Sequence, residues 1–295
     1  MVSHFPTESS WFSATSGVVP FIVSGANDNG IHPLYALFAD PERTRRPRES
    51  GITHVLDKGM SVADIESLLE VAAGWVDIIK FGWGTSVVVE NLEAKIDACL
   101  ERGVDIYCGG SLFELALQRG KLDEYIAYLK DRGIRLIEIS DGVIALPAEE
   151  KRRYIERLAR DFKVLSEVGS KDSEVVVAPS RWVKQIREEL EAGAWKVITE
   201  GRESGTVGLY RGSGEIRTGL IDEIESQIDT SRLMFEAPQK AQQVWLIKHF
   251  GPNVNLGNIP PAEVIALETM RQGLRADTML HKRGERRVEG EQTSG

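Results

Sequence analysis

The feature that most constrains this chain is a regular alternation of short apolar runs and longer amphipathic stretches. Each run contains β-branched residues and ends in polar ones, which predicts a strand, and the spacing of the stretch after it predicts a helix. A glycine often closes the stretch, as at Gly103 and Gly133, where a left-handed residue ends a helix. The eight predicted strands are residues 54–57, 77–81, 104–107, 135–139, 163–168, 196–200, 232–236 and 253–256.

Eight strands alternating with helices indicate parallel pairing, in either a closed barrel or a doubly wound open sheet. The count favours the barrel, and so does the missing Gly-x-Gly-x-x-Gly turn after the first strand, where Asp57, Lys58 and Gly59 stand. We predict an α/β chain with a single (β/α)8 TIM barrel over residues 51–280. Residues 1–50 are predicted to be an N-terminal extension and linker, and the charged residues 281–295 a disordered C-terminal tail.

Composition narrows the classes of function. Apolar residues make up 42% and charged residues 27%, as in soluble globular proteins. The formal net charge of -9 argues against a general nucleic-acid binder, which needs a basic surface. No run of about 18 apolar residues occurs, so no membrane partner is predicted. Cys99 and Cys108 are too few for a disulfide framework and fit a reducing, cytoplasmic setting. We expect small anionic substrates and a homo-oligomer.

Glutamates stand near the ends of four consecutive predicted strands, at Glu138, Glu167, Glu200 and Glu236. The carboxyl ends of barrel strands form the active site of this architecture, and a carboxylate buried there is costly unless it is paired or bound to a cation. Carboxylates beside an anionic substrate suit a hard cation such as Mg²⁺. We predict Glu138, Glu167 and Glu200 as metal ligands. The alternative is internal salt bridging, for example between Glu138 and Lys80.

Cationic and polar residues are expected around the same mouth. The loop at residues 200–205 offers backbone amides and the guanidinium of Arg202, which together could cradle a phosphate or carboxylate. The alternative is that Arg202 only holds the neighbouring glutamates in place. The predicted substrate-binding residues are Arg202, Ser204, Gly205, Lys240, Gln239, Ser111 and Asn255, and the predicted catalytic residues are Lys80, Lys58 and Asp57.

Several strand-end motifs resemble those of the phosphosulfolactate synthase family. They include Lys-Phe-Gly-Trp-Gly-Thr-Ser at residues 80–86, Glu-Ile-Ser-Asp-Gly at 138–142 and Phe-Glu-Ala-Pro-Gln-Lys at 235–240. The similarity covers roughly residues 51–279. It implies a (β/α)8 barrel that adds sulfite to phosphoenolpyruvate with Mg²⁺ and gives 2-phospho-3-sulfolactate, an early coenzyme M precursor.

The implied chemistry agrees with the charged residues at the strand ends. Sulfite attacks the methylene carbon of phosphoenolpyruvate, charge moves onto the carboxylate, and an acid protonates C2, so a cation and fixed positive side chains are needed. A lysine suits the role of proton donor, because burial and like-charged neighbours lower its pKa. Lys80 is the predicted donor, because it ends a strand directly before the rigid glycine loop. Three other hypotheses stay open. They are a related barrel that adds a different nucleophile to phosphoenolpyruvate or a similar enol phosphate, a non-catalytic stress-related barrel, and a Schiff-base aldolase using Lys80 or Lys240.

Overall fold

Eight parallel strands form one sheet that curls into a barrel, which confirms the predicted (β/α)8 fold. The structure is a computed structural model that describes residues 33–144, 146–169 and 177–279. The predicted tail at 281–295 and most of the predicted extension therefore lie outside the described residues. The strands are β1 (Thr53–Asp57), β2 (Ile78–Phe81), β3 (Asp105–Cys108), β4 (Leu136–Ile139), β5 (Lys163–Val168), β6 (Lys196–Thr199), β7 (Leu233–Glu236) and β8 (Leu256–Ile259).

The helices after residue 40 alternate with these strands and cover the outside of the barrel. The helix after β1 begins at Ser61, whose side chain accepts from the backbone N–H of Asp64 while the Asp64 carboxylate accepts in return. No helix in the described part of the chain is long and apolar enough to span a membrane. The helices are α1 (Pro33–Phe38), α2 (Val62–Ala72), α3 (Thr85–Val88), α4 (Leu92–Glu101), α5 (Gly110–Gln118), α6 (Leu122–Asp131), α7 (Ala148–Leu158), α8 (Pro179–Glu191), α9 (Thr218–Glu225), α10 (Lys240–Phe250), α11 (Val264–Arg271) and α12 (Ala276–Met279).

The barrel interior has an apolar floor and a charged upper layer. Side chains two positions apart on a strand share a face. Ile78 on the floor is therefore followed by Lys80 above it, and Leu136 by Glu138. The same step separates the floor residues of β5, β6 and β7 from Glu167, Glu200 and Glu236. The two-residue alternation of side chains therefore places one charged group from each of these strands at the mouth of the barrel.

One seam of the barrel is closed by side chains instead of a strand ladder. The strand order runs from β3 through β1 and β8 to β4, and β3 and β4 share no ladder in the part of the chain that the structure describes. At the amino end of the seam, Arg135 contacts Asp105 at 2.7 Å. At the carboxyl end, the backbone N–H of Gly110 donates to Glu138 Oε1 at 2.7 Å. The barrel is therefore nearly closed, with its last edge held by polar contacts.

The eighth strand begins later than predicted. It spans Leu256–Ile259 and not residues 253–256, because Leu256 and Ile259 pair with β1 and Gly257 pairs with β7. The strand therefore contains glycine and asparagine, two residue types that strands usually avoid. Asn255 consequently lies at the amino end of the barrel. Its amide donates to the carbonyl oxygens of Ser231 and Leu233 at 2.9 and 2.7 Å. The predicted substrate-binding role of Asn255 is wrong, because its side chain is buried at the end opposite the mouth.

Residues 40–50 are part of the barrel unit and not the predicted linker. That unit begins at Asp40, and residues 1–39 form a separate unit in which α1 is described. The buried Arg43 pairs with Glu268 at 3.0 Å. Arg46 donates to carbonyl oxygens at the ends of α2 and α4, and Arg48 donates to Gly74 at 2.7 Å. These arginines make the Pro- and Arg-rich run an ordered cover of the barrel's amino end.

Asp57, predicted to be catalytic, faces the helices outside the barrel. Its carboxylate lies 2.6 Å from Lys95 Nζ on α4, and both side chains are almost fully buried. It also accepts from the backbone N–H groups of Gly59 and Met60 at 2.7 and 2.6 Å. Asp57 shares the outward face of β1 with Val55, which explains why it does not reach the mouth. Its contacts hold the loop that carries Lys58.

We expect Asp57→Ala to destabilise the fold. Removing one partner of a buried ion pair leaves the Lys95 ammonium uncompensated, so the free energy of unfolding should fall by about 3–5 kcal/mol. Denaturant unfolding measures this change, and the double variant Asp57→Ala/Lys95→Met should recover a large part of it. An Asp57→Ala protein with wild-type stability and no turnover would instead restore a catalytic role.

Candidate functional site

A cavity of about 340 Å³ opens at the carboxyl ends of the strands. Its wall combines the charged upper layer of the barrel with residues of the loops that follow β2, β3, β4 and β6. The lining residues are Leu56, Lys80, Trp83, Gly109, Gly110, Ser111, Glu138, Val143, Glu167, Glu200, Arg202, Glu203, Glu236 and Asn258. The predicted mouth residues Lys80, Ser111 and Arg202 and the three predicted metal ligands therefore share one cavity.

Lys80 is the buried cation of this cavity. Its Nζ lies 2.8 Å from Glu138 Oε2, so the salt bridge that the sequence left open as an alternative is present. Burial lowers the pKa of Lys80, but the charges of Glu138, Glu236 and Glu167 outweigh burial and hold it above the usual lysine value. The expectation of a lowered pKa is wrong, because carboxylates and not cations surround the ammonium.

The carboxylates outnumber the cations in the buried part of the cavity. Glu138, Glu167, Glu200 and Glu236 are each at most 5% exposed, and they face one buried lysine. Glu236 accepts from the backbone N–H of Gly201 at 2.8 Å. The pKa of Glu236 is raised to about 7, mainly because the carboxylate is buried. The charge of Lys80 lowers this pKa, and the charges of Glu167 and Glu138 raise it further. The cavity therefore has a local excess of negative charge that a proton or a metal cation would offset.

The carboxylates are spread around the wall and do not form a tight cluster. Among the described residues, the three ligand atoms that lie within 4.8 Å of one another belong to Asp222, Glu225 and His249 on α9 and α10, away from the mouth. Glu138 is held by Lys80 and Gly110. Mg²⁺ commonly takes one or two carboxylates and completes its shell with water and substrate oxygens. The oxygen donors present suit that cation, and the individual ligands Glu138, Glu167 and Glu200 remain predictions.

The loop after β6 presents Arg202 to the cavity. Its guanidinium makes no hydrogen bond or ion pair with any residue that the structure describes, although its backbone N–H donates to Glu200 Oε1 at 2.7 Å. Gln239 donates to the carbonyl of Ser204 at 2.6 Å, and Gln242 donates to that of Gly205 at 2.8 Å. Ser204, Gly205 and Gln239 do not line the cavity. The structure therefore gives them the role of supporting the Arg202 loop.

The other predicted lysines lie outside the main cavity. Lys58 is exposed at the rim, 3.0 Å from Glu203, and lines an adjoining cavity of about 500 Å³. Lys240 begins α10 and pairs with Asp277 at 3.0 Å. It lines neither cavity. Of the three predicted catalytic residues, Lys80 alone faces the main cavity.

The cavity residues outside the predicted site set include the carboxylate Glu236 and the amide Asn258. Glu236 follows the same strand-end pattern as the predicted metal ligands, so the sequence carried its signal. Asn258 also carried a signal, because it is one of the polar residues that follow the eighth predicted strand. Asn258 also shares an uncommon left-handed backbone with Trp83 and Arg202, at φ 55°, 52° and 56°. Such conformations persist only where surrounding structure enforces them, and they cluster at functional sites.

Comparisons with known proteins identify the family. The family model for (2R)-phospho-3-sulfolactate synthase (ComA) matches residues 41–277. The phosphosulfolactate synthase of Bacillus subtilis is 45% identical over 243 residues, 81% of this chain and 96% of that protein. That of Methanothermobacter thermautotrophicus is 44% identical over 82% of this chain and 96% of its own. Protein HEAT-STRESS-ASSOCIATED 32 of Arabidopsis thaliana is 22% identical over 78% of this chain and 88% of its own. The chain therefore belongs to the phosphosulfolactate synthase family of enzymes.

Proposed function

We propose that this enzyme adds sulfite to phosphoenolpyruvate in a Mg²⁺-dependent reaction that yields 2-phospho-3-sulfolactate. The observation that carries the proposal is the charge arrangement of the 340 Å³ cavity, in a chain of this family. One buried lysine and an arginine with no partner among the described residues face a wall of buried glutamates. Such a wall repels an anionic substrate unless cations accompany it.

Arg202 is the residue best placed to hold the phosphate. Its guanidinium has open donors, whereas Lys58 and Lys240 are each paired with a carboxylate. A guanidinium binds phosphate through two parallel hydrogen bonds, which fix the orientation of the substrate as well as its position. The glutamines on the loop's far side keep the backbone of residues 204 and 205 in place.

The buried carboxylates are the candidate holders of Mg²⁺. Glu167 and Glu200 line the cavity, while Glu138 also neutralises Lys80. When bound, the cation would offset the excess negative charge and stabilise the charge that develops on the substrate carboxylate.

Lys80 supplies the proton in the proposed reaction. The sulfite sulfur bonds to the methylene carbon of phosphoenolpyruvate, and the displaced electron pair forms a carbanion at C2 that is delocalised into the carboxylate. Transfer of a proton from Lys80 Nζ to C2 completes the addition, and solvent later restores the proton. The raised pKa keeps Lys80 protonated at neutral pH, and the carbanion is basic enough to take a proton from an ammonium.

Mass detection of the adduct tests the function directly. The purified enzyme incubated with phosphoenolpyruvate, sulfite and Mg²⁺ should form a product whose mass is the sum of phosphoenolpyruvate and sulfite plus the added protons. Removing the metal with a chelator should abolish product, and adding back Mg²⁺ should restore it. Product formed equally well in the chelator would contradict the Mg²⁺ requirement, and no adduct under any condition would contradict the proposed reaction.

Replacing Arg202 by alanine should weaken phosphoenolpyruvate binding. Loss of a charged partner in a partly desolvated site costs about 2–4 kcal/mol, so the dissociation constant should rise roughly 30- to 1,000-fold. Isothermal titration with Mg²⁺ present measures it. Arg211→Ala, at an exposed arginine further along the same loop, is the matched control and should leave the affinity unchanged. Equal affinity of the two variants would show that Arg202 does not hold the phosphate.

Replacing Lys80 by arginine separates its proton from its charge. The guanidinium can preserve the pairing with Glu138, so the free energy of unfolding should change little. It does not release a proton at neutral pH, so turnover should fall about 100- to 10,000-fold. Product assays at fixed reaction times measure the turnover, and denaturant unfolding measures the free energy of unfolding. Turnover close to wild type would mean that Lys80 only balances the glutamates.

A further inference from the structure

Asn258 combines two unfavourable features at one position of the mouth. Its backbone is left-handed, at φ 55°, and the residue is buried, with 5% of its surface exposed. The buried Oδ1 accepts no hydrogen bond, and Nδ2 donates none to any residue that the structure describes. The residue lines both the 340 Å³ cavity and the adjoining 500 Å³ cavity, so it lies at their boundary.

Both features carry a free-energy cost. A buried polar group without a partner costs about 1–3 kcal/mol, and a left-handed backbone outside glycine adds a further cost that is moderate for asparagine. Buried polar groups in folded proteins are usually satisfied, so an orphan that lines a cavity points to a partner that binds there.

The surrounding structure fixes this conformation. The backbone N–H of Asn258 donates to Nδ1 of His54 at 3.1 Å. The other ring nitrogen of His54 contacts the hydroxyl of Tyr107 at 2.8 Å, and the two rings stack with centroids 5.5 Å apart. Burial and then the charge of Lys80 lower the pKa of His54 well below its usual value, so the ring stays neutral and Nδ1 stays an acceptor.

We propose that the Asn258 carboxamide binds the anionic substrate, with Nδ2 donating to a phosphate or carboxylate oxygen. The inference rests on the proposed binding of an enol phosphate in the mouth. A neutral amide donor suits this wall, because it attracts an anionic oxygen without adding another charge to the glutamates. The Oδ1 atom would take a hydrogen bond from a water molecule that accompanies the substrate. Asn258 would thus be a substrate-binding residue in addition to Arg202.

The competing explanation is that asparagine is present only because it tolerates a left-handed backbone. Asn258→Gly separates the two explanations. Glycine adopts a positive φ without penalty and keeps the N–H that donates to His54, so the variant removes the carboxamide and little else. Asn91→Gly is the matched control, because Asn91 is an exposed left-handed asparagine at the start of α4, at φ 58°.

The experiment measures thermal stability and phosphoenolpyruvate affinity for these variants with Mg²⁺ present. Asn258→Gly should melt at or above the wild-type temperature and bind phosphoenolpyruvate about 10- to 100-fold more weakly, the scale of one hydrogen bond to a charged group. Asn91→Gly should bind as the wild type does. Inorganic phosphate is the second probe. A matching loss of phosphate affinity assigns the contact to the phosphate, and a loss for phosphoenolpyruvate alone assigns it to the carboxylate.

Wild-type affinity and turnover in Asn258→Gly would overturn the inference and leave the proposed function intact. Absence of phosphoenolpyruvate binding to the wild type would overturn the proposed function itself. If Asn258→Gly does not fold, Asn258→Asp carries the test. Aspartate has the same shape and also tolerates the left-handed region, but it replaces the donor with a negative charge. Its phosphoenolpyruvate affinity should fall at least as far, and an unchanged affinity would overturn the inference.

Discussion

The carboxylate of Glu138 joins the closure of the barrel to the chemistry of its mouth. It accepts from Gly110 across the seam between β3 and β4, where no strand ladder exists among the described residues, and it pairs with Lys80 on β2. One side chain thus helps to hold the carboxyl end of the seam and to keep the buried lysine protonated. A cation that took Glu138 as a full ligand would compete with both contacts. Glu167 on β5 and Glu200 after β6 come from strands that do not border the seam.

The mouth is built around an unbalanced charge. Buried glutamates come from β4 to β7, and the lysine that faces them comes from β2. Burying several carboxylates together reduces the free energy of unfolding, because each charged form loses its hydration. The same burial raises the pKa of Glu236 to about 7. The cost becomes understandable when the ligands are anions that arrive with a metal cation. In the proposed function, the barrel carboxylates would provide oxygen ligands to that cation, while Arg202 and Lys80 would provide positive charge at fixed positions.

The sequence predicted the parts of the fold that depend on local pattern. The alternation of apolar runs and amphipathic stretches is sufficient to identify the barrel, and the family resemblance is confirmed by the matching family model. The pattern failed where the outcome depends on distant partners. Gly257 and Asn258 become strand residues because Gly257 pairs with β7 and the residues on either side of them, Leu256 and Ile259, pair with β1. The direction of Asp57 depends on which face of β1 turns inward, and a strand buried on both faces does not reveal that in its sequence.

The same contrast between local sequence pattern and distant contacts applies to the candidate site. The strand-end glutamates and Arg202 were recognisable from their positions, and all of them line the cavity. The predicted lowering of the Lys80 pKa is wrong because it assumes neighbouring cations, whereas Glu138, Glu167 and Glu236 surround the ammonium. Residues 40–50 look like a linker because they are rich in proline and arginine. Their order depends on carbonyl oxygens and on Glu268, which lies more than two hundred residues away along the chain.

The arginines at the amino end have a consequence for the electrostatics of the whole barrel. Its outer helices run opposite to the strands, so the negative ends of their dipoles collect at the amino end and the positive ends surround the mouth. Arg46 and Arg48 lie at the negative ends, and the buried glutamates lie near the positive ends. At each end of the barrel, the charge of the side chains is therefore opposite in sign to the nearby ends of the helix dipoles. The helix dipoles therefore reduce the local electrostatic cost of these charges at each end of the barrel and leave the formal net charge of -9 unchanged.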